Sequence, residues 1–205
     1  MKELFIYGAG GHAKVVAATA ELCGYAVCGF FEDGNDHVGD LLLGKPVLPI
    51  EKVPEGASVF LAFGNNVVRL QKGIELRKRF HIPAIIHPSA QVSKYAIIGE
   101  GVFVGALANI DPDCRIGDFC IINKLSSVSH DSSVGNGTHV SVNALIAGSV
   151  GIGQCCCIGI GSRIIEKKKV GDFTTIGAGA VVINDIPDNA TAVGCPARII
   201  KCNNK

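Results

Sequence analysis

The chain of 205 residues has no apolar run of about 18 residues, the length a membrane-crossing helix needs. Gly, Asp, Asn and Ser interrupt its apolar stretches, so the high mean hydropathy belongs to an interior. It lacks an excess of either charge: the formal net charge is +1, which excludes an electrostatic footprint for nucleic acid or an anionic membrane surface. It has no CxxC pair, so its nine cysteines do not read as a zinc site. Met1-Lys2-Glu3 leads directly into a strand pattern, with no signal-peptide character. These absences point to a reduced, cytoplasmic protein without a metal.

What is present is a period. Seventeen successive positions, six apart from Ile86 to Val182, hold only Ile or Val. Six fits neither an α-helix nor a plain strand. It fits a short strand and a turn repeated around a polygon, the pattern of a parallel β-helix. The residue two before the branched one is mostly small, as at Cys114, Ser132, Thr138 and Cys156, and points inward on the same strand. The residue after it is often Gly, expected to supply close packing and positive φ at a corner. Three hexads make a coil of 18 residues, so the repeat gives five to six coils. At about 4.8 Å per coil the prism is roughly 25 Å long. Cys114, Cys120 and Cys156 take small inward positions, and the neighbours in Cys155-Cys156-Cys157 diverge by alternation.

Before the repeat the pattern is α/β. The boundary lies near residues 82–87, giving a domain over 1–82 and the repeat domain with its tail over 83–205. Strands are expected at Glu3–Tyr7, Tyr25–Phe31 and Ser58–Phe63, and helices at His12–Cys23 and Val67–Phe80. Gly8-Ala9-Gly10-Gly11-His12-Ala13 follows a strand and opens a helix, matching G-x-G-x-x-A. Small residues let the backbone approach a phosphate, and the helix N-terminus offers free N–H groups. Glu32 and Asp33 end the second strand, where a carboxylate would meet a ribose. One βαβαβ half in about 85 residues suits a nucleotide-sugar better than a dinucleotide, which uses two halves. A tight turn that merely needs glycine is the bland alternative.

Of six histidines, His37, His81 and His87 read as structural or surface groups. His12, at the glycine turn, is placed to meet a phosphate or sugar. His130 lies at a corner beside Asp131, and a neighbouring carboxylate fixes a tautomer and strengthens an imidazole as a base. His139 precedes the inward Val140 and faces outward. The two are nine residues apart, half a coil, so they meet only if prisms pack together. Two solvated surface histidines are the alternative.

These residues together resemble the sialic acid O-acetyltransferase family of sugar acyltransferases. The glycine turn with Lys14-Val15-Val16, Gly64-Asn65-Asn66 with Arg69, Asn123, Ser129-His130-Asp131, His139-Val140-Ser141-Val142, Ala147-Gly148 and Gly194-Cys195-Pro196-Ala197 carry the resemblance. The pattern is closest to bacterial enzymes that acetylate the 4-amine of UDP-linked 4-amino-4,6-dideoxy sugars. The resemblance implies an α/β half-Rossmann-like domain followed by a left-handed parallel β-helix, assembled as a homotrimer, with acetyl-CoA as co-substrate. It implies His130 as general base supported by Asp131. His139, Gly148, Ile160 and Ala178 would line the coenzyme groove, with His139 reaching it from the neighbouring subunit. Gly8, Gly10, Gly11, His12, Asp33 and Asn65 would hold the nucleotide-sugar. Lys124 and Ala178 depart from the family's small polar residue and glycine. O-acetylation of a sialic acid is the runner-up. A zinc lyase resembling γ-carbonic anhydrase would need three converging histidines, and a non-catalytic nucleotide-sugar scaffold would turn over no acetyl-CoA.

Overall fold

The computed structural model describes residues 2–34 and 37–202. Met1 and the end of the basic tail, residues 203–205, lie outside the described residues. The first part is a sheet of five strands: β1 (Lys2–Tyr7), β2 (Tyr25–Phe31), β3 (Leu41–Leu42), β4 (Lys45–Leu48) and β5 (Val59–Leu61), in the order β3-β4-β2-β1-β5. All pairs are parallel except β3–β4. Helix α1 (Gly11–Leu22) joins β1 to β2, and α2 (Asn66–Leu76) follows β5. The expected βαβαβ half is altered in its second crossover. A β3–β4 hairpin and a single 3₁₀ turn at Ile50–Lys52 stand where a helix would be, and β5 pairs on the far side of β1. The short hairpin escaped the sequence reading because its strands are two and four residues long.

From Ile85–Ile86 to Val181–Val182 run seventeen strands of two residues each, all paired in parallel with a strand 18 residues away. They stack into three flat faces. Face A carries Phe103, Ile121, His139 and Cys157 outward, face B Asn109, Ser127, Leu145 and Arg163, and face C Arg115, Ser133, Gly151 and Lys169. The Ile and Val of the hexads fill one continuous core. Beyond Val182 the chain leaves the repeat. A hairpin of Ala190–Val193 and Arg198–Cys202 extends face A.

Two details correct the expected corner chemistry. Positive φ falls three residues after the interior Ile or Val, at Leu107 (58°), Phe119 (58°), Asp131 (62°) and Gly137 (68°), where most residues are not glycine. The glycines directly after the interior residue serve a steric need instead. A Cβ on Gly135 would stand 2.5 Å from the Gly153 carbonyl carbon, and one on Gly159 would stand 2.5 Å from the Ile176 oxygen. The small inward residues also do more than save space. Cys114 Sγ donates to Ser129 O (3.1 Å), Cys120 Sγ to Gly135 O (3.1 Å), Ser132 Oγ to Ala147 O (3.0 Å) and Thr138 Oγ1 to Gly153 O (2.8 Å). Each supplies a side-chain donor to a corner carbonyl of the next coil. All nine cysteines are free thiols.

The two parts share their packing. Ala13, Val16, Ala17 and Ala20 of α1 join Ile85, Phe103 and Ile121 in one cluster. Leu76, Phe80 and Ile82 close over Phe119 in another. Gly73 of α2 leaves room for that ring, since a Cβ there would lie 2.6 Å from Phe119 Cδ1. Arg69 pins the junction. Its guanidinium is 1% exposed and donates to Phe63 O (2.9 Å) and Asn66 Oδ1 (2.9 Å) in the first part, and to Phe119 O (2.9 Å) and Gly137 O (2.7 Å) in the β-helix.

Candidate active site

The glycine turn forms the wall of a cavity of about 390 Å³, lined by Tyr7, Gly8, Gly10, Gly11, His12, Glu32, Asp33 and Phe63 among others. Gly8 is a backbone requirement: its φ is 114°, and a Cβ would press on Ala62 O at 3.1 Å. Gly10 is different. It is the N-cap of α1 with φ −88°, no side chain caps the helix there, and a Cβ on Gly10 or Gly11 would meet nothing within 4 Å. The first N–H groups of a 12-residue helix thus open on empty space beside the turn. Asp33 lines the cavity and meets Lys72 Nζ at 3.3 Å. Burial and the adjacent Asp33 hold the Tyr7 hydroxyl protonated, far above the ordinary tyrosine range.

Asn65 is placed otherwise. Its amide oxygen accepts from Val68 N at 3.1 Å and caps α2. Its neighbour Asn66 donates to Cys156 O at 2.7 Å across the domain junction.

His130 stands at the corner between faces B and C, with Nδ1 2.8 Å from Asp131 Oδ2. The carboxylate accepts the Nδ1 proton and leaves Nε2 with its lone pair outward. Gly148, one coil on, lies under the ring: a Cβ there would be 2.6 Å from His130 Cε1 and 2.7 Å from Nε2. The imidazole is 63% exposed in the single chain.

His139 is on face A, outward of the prism as expected, yet half-buried by the first domain of its own chain. Its Nε2 lies 3.1 Å from Asn123 Nδ2, so Asn123 donates and Nε2 accepts. Burial first, then Arg69 and His12, push its pKa down to about 4. His12 sits with its ring edge-on to Phe103 at 5.3 Å. Burial and then Arg69 push it to about 4 as well, and its buried Nε2 has no hydrogen-bond partner. The structure therefore brings His12, Asn123 and His139 together, two neutral imidazoles and an amide between α1 and face A. This cluster was invisible in the sequence, where His12 and Asn123 are far apart. A second cleft of about 360 Å³ runs from Asn123 and Lys124 along Phe103, Ala106, Val15 and Leu22.

Gly148 belongs to the corner between faces B and C, whereas Ile160 and Ala178 stack on the corner between faces A and B, above Lys124. Within one chain these residues flank face B from opposite edges. Ile160 is 60% exposed, and so are Leu107 (62%) and Leu125 (48%) on the same edge. No group of three or more His, Cys, Asp or Glu suited to a metal ion occurs among the described residues, and no helix there is long and apolar enough to cross a membrane.

Residues 3–73 match the family described as the PglD N-terminal domain. The chain is 37% identical over 117 residues, 52% of its length, to UDP-N-acetylbacillosamine N-acetyltransferase of Bacillus subtilis, and spans about half of that curated relative (52%). The perosamine N-acetyltransferase from Caulobacter crescentus, solved as a histidine-to-asparagine mutant in complex with CoA and GDP-perosamine, superposes with a TM-score of 0.91 at 35% identity over 98% of each chain. The acetyltransferase domain of PglB from Neisseria gonorrhoeae, in complex with acetyl coenzyme A, gives a TM-score of 0.91 at 34% identity, covering 97% of this chain and 99% of that one.

Proposed function

The chain belongs to the left-handed β-helix family of sugar N-acetyltransferases that includes the perosamine enzyme, and from that membership we propose that it acetylates the amine of a nucleotide-linked 4-amino-4,6-dideoxy sugar, UDP-linked, with acetyl-CoA as donor. The observation that carries this reading is the pairing in one chain of an uncapped helix N-terminus on an open cavity with a β-helix corner bearing His130 and Asp131. The first holds a diphosphate through backbone N–H groups and the helix dipole. Asp33 and Glu32 lie where a ribose would extend. His12, Gly8, Gly10 and Gly11 bound the sugar-phosphate path.

The reaction is direct transfer. The sugar amine attacks the thioester carbonyl, His130 Nε2 takes the amine proton, the C–S bond breaks, and the proton passes to the leaving CoA thiolate. Asp131 holds the tautomer that leaves Nε2 free. Cysteine as an intermediate acyl carrier has little support, because burial raises Cys114, Cys120, Cys155, Cys156 and Cys157 above the ordinary thiol value.

The exposed base and the exposed Leu107, Leu125 and Ile160 beside face B support an assembly of copies, a homotrimer, in which one copy's His130 corner faces another's Asn123 edge. Gly148 of the first and Ile160 and Ala178 of the second then line one groove for the coenzyme. Lys167, Lys168, Lys169 and Arg198 are the nearby cations for its phosphates.

A GDP-linked sugar is the second reading, favoured by the likeness to the GDP-perosamine complex over nearly the whole chain. The test is acetyl-CoA consumption with UDP- and GDP-linked 4-amino-4,6-dideoxy sugars, with CMP-sialic acid and free sialic acid alongside. Turnover with a nucleotide-linked amino sugar is expected. Turnover only with a sialic acid would replace amine by hydroxyl transfer, and no turnover with any acceptor would favour a non-catalytic binding scaffold.

A further inference from the structure

Arg69 is a buried cation that forms no ion pair with a carboxylate among the described residues. Its four hydrogen bonds all go to neutral oxygens, two in each domain. A guanidinium sealed from water without an acid partner is costly, and hydrogen bonds to neutral oxygens offset that cost only in part. Hydrophobic closure of the junction does not require it, since the α1 and Phe119 clusters already provide that. Its location suggests what it is for. Two of the carbonyls that it binds lie at the edge of face A, and its charge acts on His12 of one domain and His139 of the other.

We propose that Arg69 is the positioning residue of the acceptor site: one rigid fork, bonded to backbone of both domains, sets the spacing of His12 against His139. This rests on the nucleotide-sugar reading above, and it moves His139 from the coenzyme groove, where the family resemblance put it, to the acceptor side, next to Asn123. The fork fixes α2 through Phe63 and Asn66, and fixes the edge of face A through Phe119 and Gly137. Asn66 extends the clamp to Cys156. The groups acting on the two imidazoles are Arg69 on both and His12 on His139; on Arg69 they are the thiols of Cys120, Cys155 and Cys157. Among the described residues no carboxylate acts on either ring. The buried positive charge therefore adds to burial in keeping both rings neutral. A neutral His139 accepts from Asn123, and a neutral His12 offers its unpartnered Nε2 to the acceptor.

Two variants separate geometry from charge. Arg69→Lys keeps the charge but cannot reproduce a planar fork with four acceptors. It should raise KM for the nucleotide-sugar at least tenfold and leave KM for acetyl-CoA within about twofold. Arg69→Gln removes the charge. In that variant the midpoints of His12 and His139, followed by imidazole NMR without substrate, should both move upward. A merely structural Arg69 would lower Tm and leave KM for the nucleotide-sugar as in the unchanged protein. Asn66→Ala loses one acceptor of the fork and the bond to Cys156; it should shift KM in the same direction by about threefold, and it serves if the Arg69 variants do not fold. Wild-type KM in folded Arg69→Lys, or in Asn66→Ala, overturns the proposal, as do unmoved histidine midpoints in Arg69→Gln. The NMR arm needs no turnover, so failure of the acetyltransferase reading is seen separately, as an inactive unchanged protein.

Discussion

His130 occupies the space that a side chain would take at Gly148: a Cβ on residue 148 would stand 2.6 Å from the imidazole Cε1. The glycine is the floor of that ring, one coil away from it. Gly148→Ala should therefore push the ring aside. Because that ring is 63% exposed, it can swing without disturbing the core. The expected result is a fall in kcat of about 10²-fold, the lower range for a positioned base, with Tm unchanged. Gly135→Ala is the contrast, since its Cβ would strike the backbone of Gly153, and it should lower stability by about 1–3 kcal/mol. Thermal melting and steady-state rates on the two variants check both halves.

His130→Ala should lower kcat by about 10²- to 10⁴-fold and leave KM for acetyl-CoA nearly unchanged. Asp131→Asn should cost less, because the base remains and only its tautomer is loosened. Unchanged turnover in His130→Ala would reject the assigned base.

Gly10→Val tests the phosphate turn. Valine at residue 10 would endanger folding only if the backbone there needed positive φ. Its φ is −88° and nothing lies within 4 Å of a Cβ, so the variant should melt like the original. The added side chain enters the cavity. KM for a nucleotide-linked sugar should rise about tenfold or more, on the scale of a few kcal/mol for lost charge-assisted hydrogen bonds, and acetyl-CoA should bind as before. Normal kinetics would defeat the nucleotide-sugar reading.

Assembly has its own test. If His130 and His139 of one site come from different copies, His130→Ala and His139→Ala proteins, each weakly active alone, should recover activity when refolded together. A mixture no more active than its parts would place the site within one chain.

Acid should weaken the fold through His12 and His139. Both are held near 4 in the folded state against about 6.5 when unfolded. Between those values the unfolded chain binds more protons, so stability rises with pH there. The contribution is present above about 6.5 and is lost as pH falls toward 4, on the order of 2 kcal/mol for the pair after allowing for their partial exposure. Tm between pH 7 and pH 4.5, compared with a His139→Gln variant, measures it. A slope identical in the two proteins would remove His139 from the account.

The hexads made the β-helix legible because each interior Ile or Val is forced by the same local geometry, coil after coil. The contact of His130 with Asp131 was legible for a similar reason: the two are neighbours in the chain. What lay hidden depends on contacts between distant segments. Gly73 reads as a weak point in a helix until Phe119 is seen beneath it. Asn65 resembles a ligand contact and is a helix cap. His139 reads as free surface because nothing in its own coil shows that α1 and α2 cover face A. Arg69 carries part of the family resemblance, but nothing in the sequence shows that it is 1% exposed and bonded to both domains.

No insertion interrupts the repeat between Ile86 and Val182. His130 and Gly148 are one full coil apart, and so are Ile160 and Ala178. A change of six residues anywhere between such partners would carry every later side chain round to the next face, parting His130 from its floor while leaving the core pattern intact. A change of eighteen would preserve every face and merely add or remove a storey. Length in this half of the molecule is thus counted in whole turns, and the solenoid acts as a ruler graduated at about 4.8 Å, along which the reach of an extended ligand is measured.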